Sequence, residues 1–96
     1  MIITIAGHPY TLIESDPGMW SGDAMGRSSI NTGVIQIRET MPKVTQCSTI
    51  LHEIIHQVID LYDLPIKEEM GVSVLAMAVL DLIRNNPLLI SRIQSL

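Results

Sequence analysis

The sequence predicts an α+β domain, with an antiparallel sheet of about four short strands at the N-terminal end followed by helices. Three observations carry this: β-branched runs punctuated by Gly, Pro and Asn up to Arg38, apolar residues at helical spacing from Val44 to Tyr62, and a second apolar stripe from Val72 to Ile83. A chain of 96 residues is large enough for one core and too small for a separate substrate domain, so residues 1-96 are expected to form a single domain with any active site in a surface groove.

Taken in order, Ile2 to Ile5 and Tyr10 to Ile13 read as a hairpin turning at Gly7 to Pro9. His8 then sits in the turn, where turn polarity explains it without a ligand role. Glu14 to Gly26 reads as a loop with three glycines, in which Met19, Trp20 and Met25 either cover the end of the core or line a substrate groove. Arg27 to Ile30 and Val34 to Arg38 read as a second hairpin around Asn31-Thr32-Gly33. The alternation of Ile35 and Ile37 with Gln36 and Arg38 sets one face of the last strand on the core, and at a sheet edge that strand would pair with an extended peptide.

Thr40-Met41-Pro42 offers a capping residue and a proline for the start of a long helix between Thr40 and Thr45, which Leu64-Pro65 ends. Its apolar stripe runs through Cys47, Ile50, Leu51, Ile54, Ile55, Val58 and Ile59, leaving His52, Glu53, His56, Gln57 and Asp60 on the opposite, polar side. A second helix is expected from about Lys67 to Asn85, with Val72, Leu75, Ala76, Val79, Leu82 and Ile83 buried. After Asn85-Asn86-Pro87, a short last helix from Leu88 to about Gln94 is expected to cover the remaining core with Leu89, Ile90 and Ile93.

The composition bounds the function. Hydrophobic residues make up 47% with no Phe, which describes a globule with a core of Ile, Leu, Val and Met rather than a disordered chain. A net charge of −4 with six scattered basic residues provides no cationic patch, so no nucleic-acid partner is expected. The single Cys47 fits a reducing compartment and is expected in the core, since it points away from the histidines. The start of the chain lacks the marks of a secretion signal, and the stretch from Val72 to Ile83 is broken by Asp81 and too short for a bilayer. A cytoplasmic location and no membrane partner are the expectations; oligomeric state leaves no mark in the sequence.

The chemistry is carried by His52-Glu53-Ile54-Ile55-His56. On a helix His52 and His56, four apart, project from one face one turn above the other, while Glu53 is rotated about a quarter turn away, off a shared metal but within reach of a water held by it. That is the arrangement of a zinc-dependent peptidase, with Glu53 as general base. The plainer reading makes the histidines polar residues on the wet side of an amphipathic helix. Catalytic Zn2+ usually takes three protein ligands and keeps one position for water, so a third donor is needed among Asp60, Asp63, Glu68, Glu69 and Asp81. A reversal at Pro65 would bring the start of the second helix beside the histidines. Glu69 is preferred to Glu68 because Val72, Leu75 and Ala76 put it on the inward side.

The run Thr49 to His56, followed by Glu68-Glu69, Val72, Leu75-Ala76 and Arg84 to Pro87, resembles the small phage and prophage zincin-like metallopeptidases, themselves similar to ImmA/IrrE-type peptidases that cleave repressors. The resemblance covers roughly residues 30 to 90, and its one specific part is H-E-x-x-H. It implies a zincin-like domain, a glutamate third ligand a few residues ahead of an apolar-Ala pair, which Glu69 matches, and the cytoplasm of a host cell. The chain departs from the ImmA/IrrE pattern in lacking a regulatory domain and in having only twelve residues between His56 and Glu69.

The expected function is therefore hydrolysis of peptide bonds in a peptide or protein substrate, with zinc ligated by His52, His56 and Glu69, the water activated by the metal, and Glu53 taking its proton. Tyr62 and His8 are conceivable oxyanion donors, but no spacing assigns either. The alternatives are a non-catalytic zinc-binding or protein-interaction module of a phage or prophage, and a structural or regulatory protein whose histidines bind nothing.

Overall fold

The computed structural model describes residues 1–15 and 25–96. Its elements are β1 (Ile2–Ile5), β2 (His8–Ser15), β3 (Gly26–Ser29), β4 (Val34–Arg38), α1 (Lys43–Leu61), α2 (Glu69–Asn85) and α3 (Pro87–Gln94). The α+β expectation holds. The expectations for Met19 and Trp20 lie outside the described residues.

The first hairpin turns earlier than its glycine and proline suggest. Ile5 pairs with His8, so the loop is Ala6-Gly7, and both residues have positive φ, 49° and 81°. That is the backbone whose twist matches a two-residue hairpin. His8 consequently belongs to a strand rather than a turn. Pro9 is tolerated inside β2 because alternation aims its missing N–H at the side where β4 lies. There pairing starts only at Thr11, whose N–H donates to Gly33 O.

The sheet is mixed, not antiparallel throughout. Its order is β1-β2-β4-β3, with β2 and β4 parallel and the other two pairs antiparallel. The second hairpin inserts with β4 inward, and residue chemistry explains the choice. Val34-Ile35-Gln36-Ile37-Arg38 buries Ile35 and Ile37 completely, whereas Gly26-Arg27-Ser28-Ser29 is polar and suits an edge. The condition under which Val34 to Arg38 would pair with a peptide is not met: β4 is paired on both sides, and among the described residues the edge strands are β1 and β3.

One sheet face carries Ile3, Ile5, Tyr10, Leu12 and Ile35, packed against Ile54, Val58 and Leu61 of α1. On the other face Arg27 Nε donates to Gln36 Oε1 at 2.7 Å and Gln36 Nε2 to Ser15 Oγ at 2.9 Å, a polar ladder across β3, β4 and β2. Helix α1 starts at Lys43 with Pro42 as its cap residue and no side-chain cap, so Thr40 does not play the expected role. Its end is a Schellman motif: Leu64 N–H donates to Ile59 O at 2.9 Å and Asp63, at φ 51°, stands where glycine is usual. This reversal returns α2 along α1, with Val72 and Ala76 as its buried residues.

The far end of the chain is not covered. Leu82 and Ile83 of α2 and Leu88, Leu89 and Ile93 of α3 are exposed, and α3 has no buried residue, which corrects both the full apolar stripe of α2 and the role of α3 as a lid on the core. Cys47 is exposed as well, contrary to its expected core position. Among the described residues no single helix is long and apolar enough to cross a membrane; α2 and α3 meet that measure only as a pair bent by 92°.

Candidate metal and catalytic site

Helix α1 lies between two partners, the sheet and α2, so it has no single polar face. Successive residues turn by about 100°. His52 and His56 therefore face α2, and Glu53 and Gln57, one step on, face the sheet. Glu53 and Gln57 are buried, 7% and 2% exposed, which corrects their placement on a solvated side. Small residues on β3 make the room. A Cβ on Gly26 would come within 2.6 Å of Thr49 Cγ2 and 3.3 Å of Glu53 Cγ, so strand and helix approach at a distance only glycine permits there.

On the α2 side, His52, His56 and Glu69 form a group in which one ligand atom from each lies within 4.8 Å of the others, and that could hold a metal ion. The two Nε2 atoms are 3.0 Å apart, His56 Nε2 is 3.2 Å from Glu69 Oε1 and 3.1 Å from Oε2, and His52 Nε2 is also in contact with Oε1. Donors about 2.0–2.1 Å from a tetrahedral zinc ion stand roughly 3.3 Å from one another, close to these separations. The donor chemistry also fits zinc. Ser73 Oγ lies 3.2 Å from His52 Nδ1. With Nδ1–H donating to that hydroxyl, the Nε2 lone pair is left for the metal, the usual way an outer partner selects a ligand tautomer.

Glu69 reaches this position as the first residue of α2, with Glu68 its cap residue, so of the two acids Glu69 joins the histidines. Hydrogen bonding to His56 does most to hold its carboxyl below the ordinary value of 4.5; desolvation opposes it, and hydrogen bonding to His52 and the charge of the two histidines add smaller lowering effects. His8 on β2 and Tyr62 at the end of α1 are exposed and outside this group.

Glu53, His52 and Glu69 all line one cleft of about 350 Å3 between β3, α1 and α2, whose other walls include Met25, Gly26, Thr49, Ser73, Ala76 and Met77. The would-be base therefore shares this space with two members of the metal group, His52 and Glu69, while His56 is not among its walls. Glu53 Oε1 accepts a hydrogen bond from Ser28 Oγ at 2.8 Å. The sequence places Gln57 only on the polar side of α1 and gives Ser28 and Ser73 no role. A spacing of four is the signal for two of these: Thr49, Glu53 and Gln57 form one polar row on α1 beside the His52–His56 row, and Ser73 follows Glu69 by one turn on α2, whereas Ser28 has no such mark.

No family model matches the chain, and no characterised protein or solved structure is similar enough to it to count as a match.

Proposed function

We propose that this chain is a zinc-dependent peptidase of the zincin-like kind that its motif resembles, binding Zn2+ through His52, His56 and Glu69 with Glu53 as general base. The observation that supports it most is the convergence of both Nε2 atoms and the Glu69 carboxylate from two helices, with His52 and Glu69 lining the same cleft as Glu53. A zinc ion held there would supply Lewis-acid polarisation of a carbonyl and a water acidified toward neutrality.

The protein's own groups do the rest. The Glu53 carboxylate takes the proton of the attacking water and returns it to the departing amine nitrogen, a role worth about 10²–10⁴ in rate. The substrate strand would run along β3 rather than β4. Met25 O and Ser29 O accept from Arg38 and Gly33, so by antiparallel alternation the N–H and C=O of Gly26 and Ser28 point away from β4, to a side where no strand pairs among the described residues and an extended peptide would pair with them. A peptide or protein substrate would suit that pairing.

Glu53→Gln keeps the shape and removes the basicity. Its peptide hydrolysis should fall by at least about 10²-fold at unchanged zinc content, and chelation should abolish that of the wild type. Hydrolysis by Glu53→Gln at the wild-type rate would end the proposed mechanism. One observation favours a second reading: Glu53 is buried and already bonded to Ser28, as a purely structural acid would be. A non-catalytic zinc-binding module would hold the metal and hydrolyse no peptide under any condition.

A further inference from the structure

Behind Glu53 runs a chain of side chains that the zinc chemistry does not itself call for. Tyr10 Oη donates to Gln57 Oε1 at 2.9 Å, Gln57 Nε2 donates to Ser28 Oγ at 2.8 Å, and Ser28 Oγ donates to Glu53 Oε1 at 2.8 Å. The directions are set by chemistry. An ionised carboxylate only accepts, so Ser28 spends its one proton on Glu53 and uses a lone pair for the Gln57 amide. The Gln57 carbonyl is then left for the Tyr10 hydroxyl, and burial, reinforced by the Asp60 charge, raises the pKa of that phenol and keeps it a donor.

The three supports come from three elements, β2, α1 and β3, and Tyr10 sits in the core at 1% exposure. Among the described residues no buried side-chain nitrogen or oxygen lacks a partner. The Glu53 carboxylate is thus tied through one oxygen to the core, while Glu53 also lines the cleft.

We infer that Ser28, itself fixed by Gln57 and Tyr10, is a positioning residue that commits Glu53 Oε1 to the sheet and so leaves Oε2 as the oxygen offered to the cleft. This rests on the peptidase reading for its role in rate, but its geometric content stands apart from activity. A buried network with every member satisfied holds one arrangement, and loss of a member frees the others to rotate. Ser28→Ala removes the only side-chain hydrogen bond recorded for Glu53 among the described residues and also leaves the Gln57 amide short of an acceptor.

The test uses the full chain with zinc supplied, in wild-type, Ser28→Ala, Ser28→Thr and Tyr10→Phe forms. Crystal structures of wild type and Ser28→Ala give the Glu53 rotamer directly. Elemental analysis gives zinc per chain, and peptide hydrolysis gives kcat and KM separately. The expected result is a displaced or multiply placed Glu53 carboxylate in Ser28→Ala. Zinc should be unchanged, kcat should fall about 10–100-fold, the range for loss of an outer supporting partner, and KM should stay within about twofold. Ser28→Thr, which keeps the hydroxyl, should restore most of kcat, and Tyr10→Phe should give a smaller loss of the same kind. An unmoved Glu53 carboxylate in Ser28→Ala overturns the inference, as does an unchanged kcat. If the wild type binds zinc but hydrolyses no peptide, the peptidase reading fails, and the crystal structures alone decide whether Ser28 sets the carboxylate.

Discussion

The junction between the sheet and α1 and the arm formed by α2 and α3 differ in how they are held. At the junction, Ile5, Tyr10, Ile35 and Ile37 are buried, a glycine brings strand and helix into contact, and the polar groups inside are hydrogen-bonded. Helix α2 is anchored by Val72 and Ala76, and α3 buries nothing. The candidate site straddles the two: base and histidines come from the junction, and the third ligand comes from the arm. The difference teaches that the part needing exact orientation, the carboxylate that would move a proton, is set in the firm half. The part that a metal can itself draw into place is set in the loose one.

Substitutions along this division test it. Ile35→Ala empties a fully buried site at the junction and should cost about 2–5 kcal/mol in chemical denaturation. A loss below about 1 kcal/mol would mean that the junction is no firmer than the arm. Gly26→Ala should cost about 1–3 kcal/mol by overpacking against Thr49 Cγ2. Trimming that methyl in Gly26→Ala/Thr49→Ser should recover part of the loss, and a double variant no more stable than the single one would point instead to the Gln36 carbonyl, 3.3 Å from the added carbon.

Smaller effects sharpen the picture. Ala6 has a φ of 49°, a region unfavourable to an alanine and natural to asparagine, so Ala6→Asn should stabilise the β1–β2 hairpin by about 1 kcal/mol, read as a higher denaturation midpoint. Leu89→Ala on α3, at 42% exposure, should change stability by no more than about 0.5 kcal/mol. A large loss there would show that the arm is packed in solution against something.

The sequence made several elements legible for identifiable reasons. Asn31-Thr32-Gly33 marks the second hairpin, Pro42 and Pro65 bracket α1, and Asn86-Pro87 separates α2 from α3. Glu69 is preferred from Val72, Leu75 and Ala76 as the inward side of α2; Val72 and Ala76 are the residues that α2 buries, while Leu75 is exposed. The strand order was hidden, since which of β3 and β4 lies inward depends on a partner, β2, that local spacing does not name. The two-sided packing of α1 was hidden too. A helical stripe records which positions are apolar, but Gly26 and Ser28 on another strand allow Glu53 and Gln57 to be buried as polar residues. Of the Leu89, Ile90 and Ile93 face expected to cover the core, Leu89 and Ile93 are exposed and Ile90 is half-buried: an apolar pattern marks a face that can be covered, without saying that this chain covers it.

The account depends most on the junction and the arm sharing one ion. Elemental analysis of the purified wild type beside Glu69→Ala, after equilibration with limiting zinc and gel filtration, tests that directly. About one zinc per wild-type chain, with most of it lost from Glu69→Ala while the variant stays folded, is the predicted result. Full retention of zinc by Glu69→Ala, or no zinc in the wild type, would contradict it.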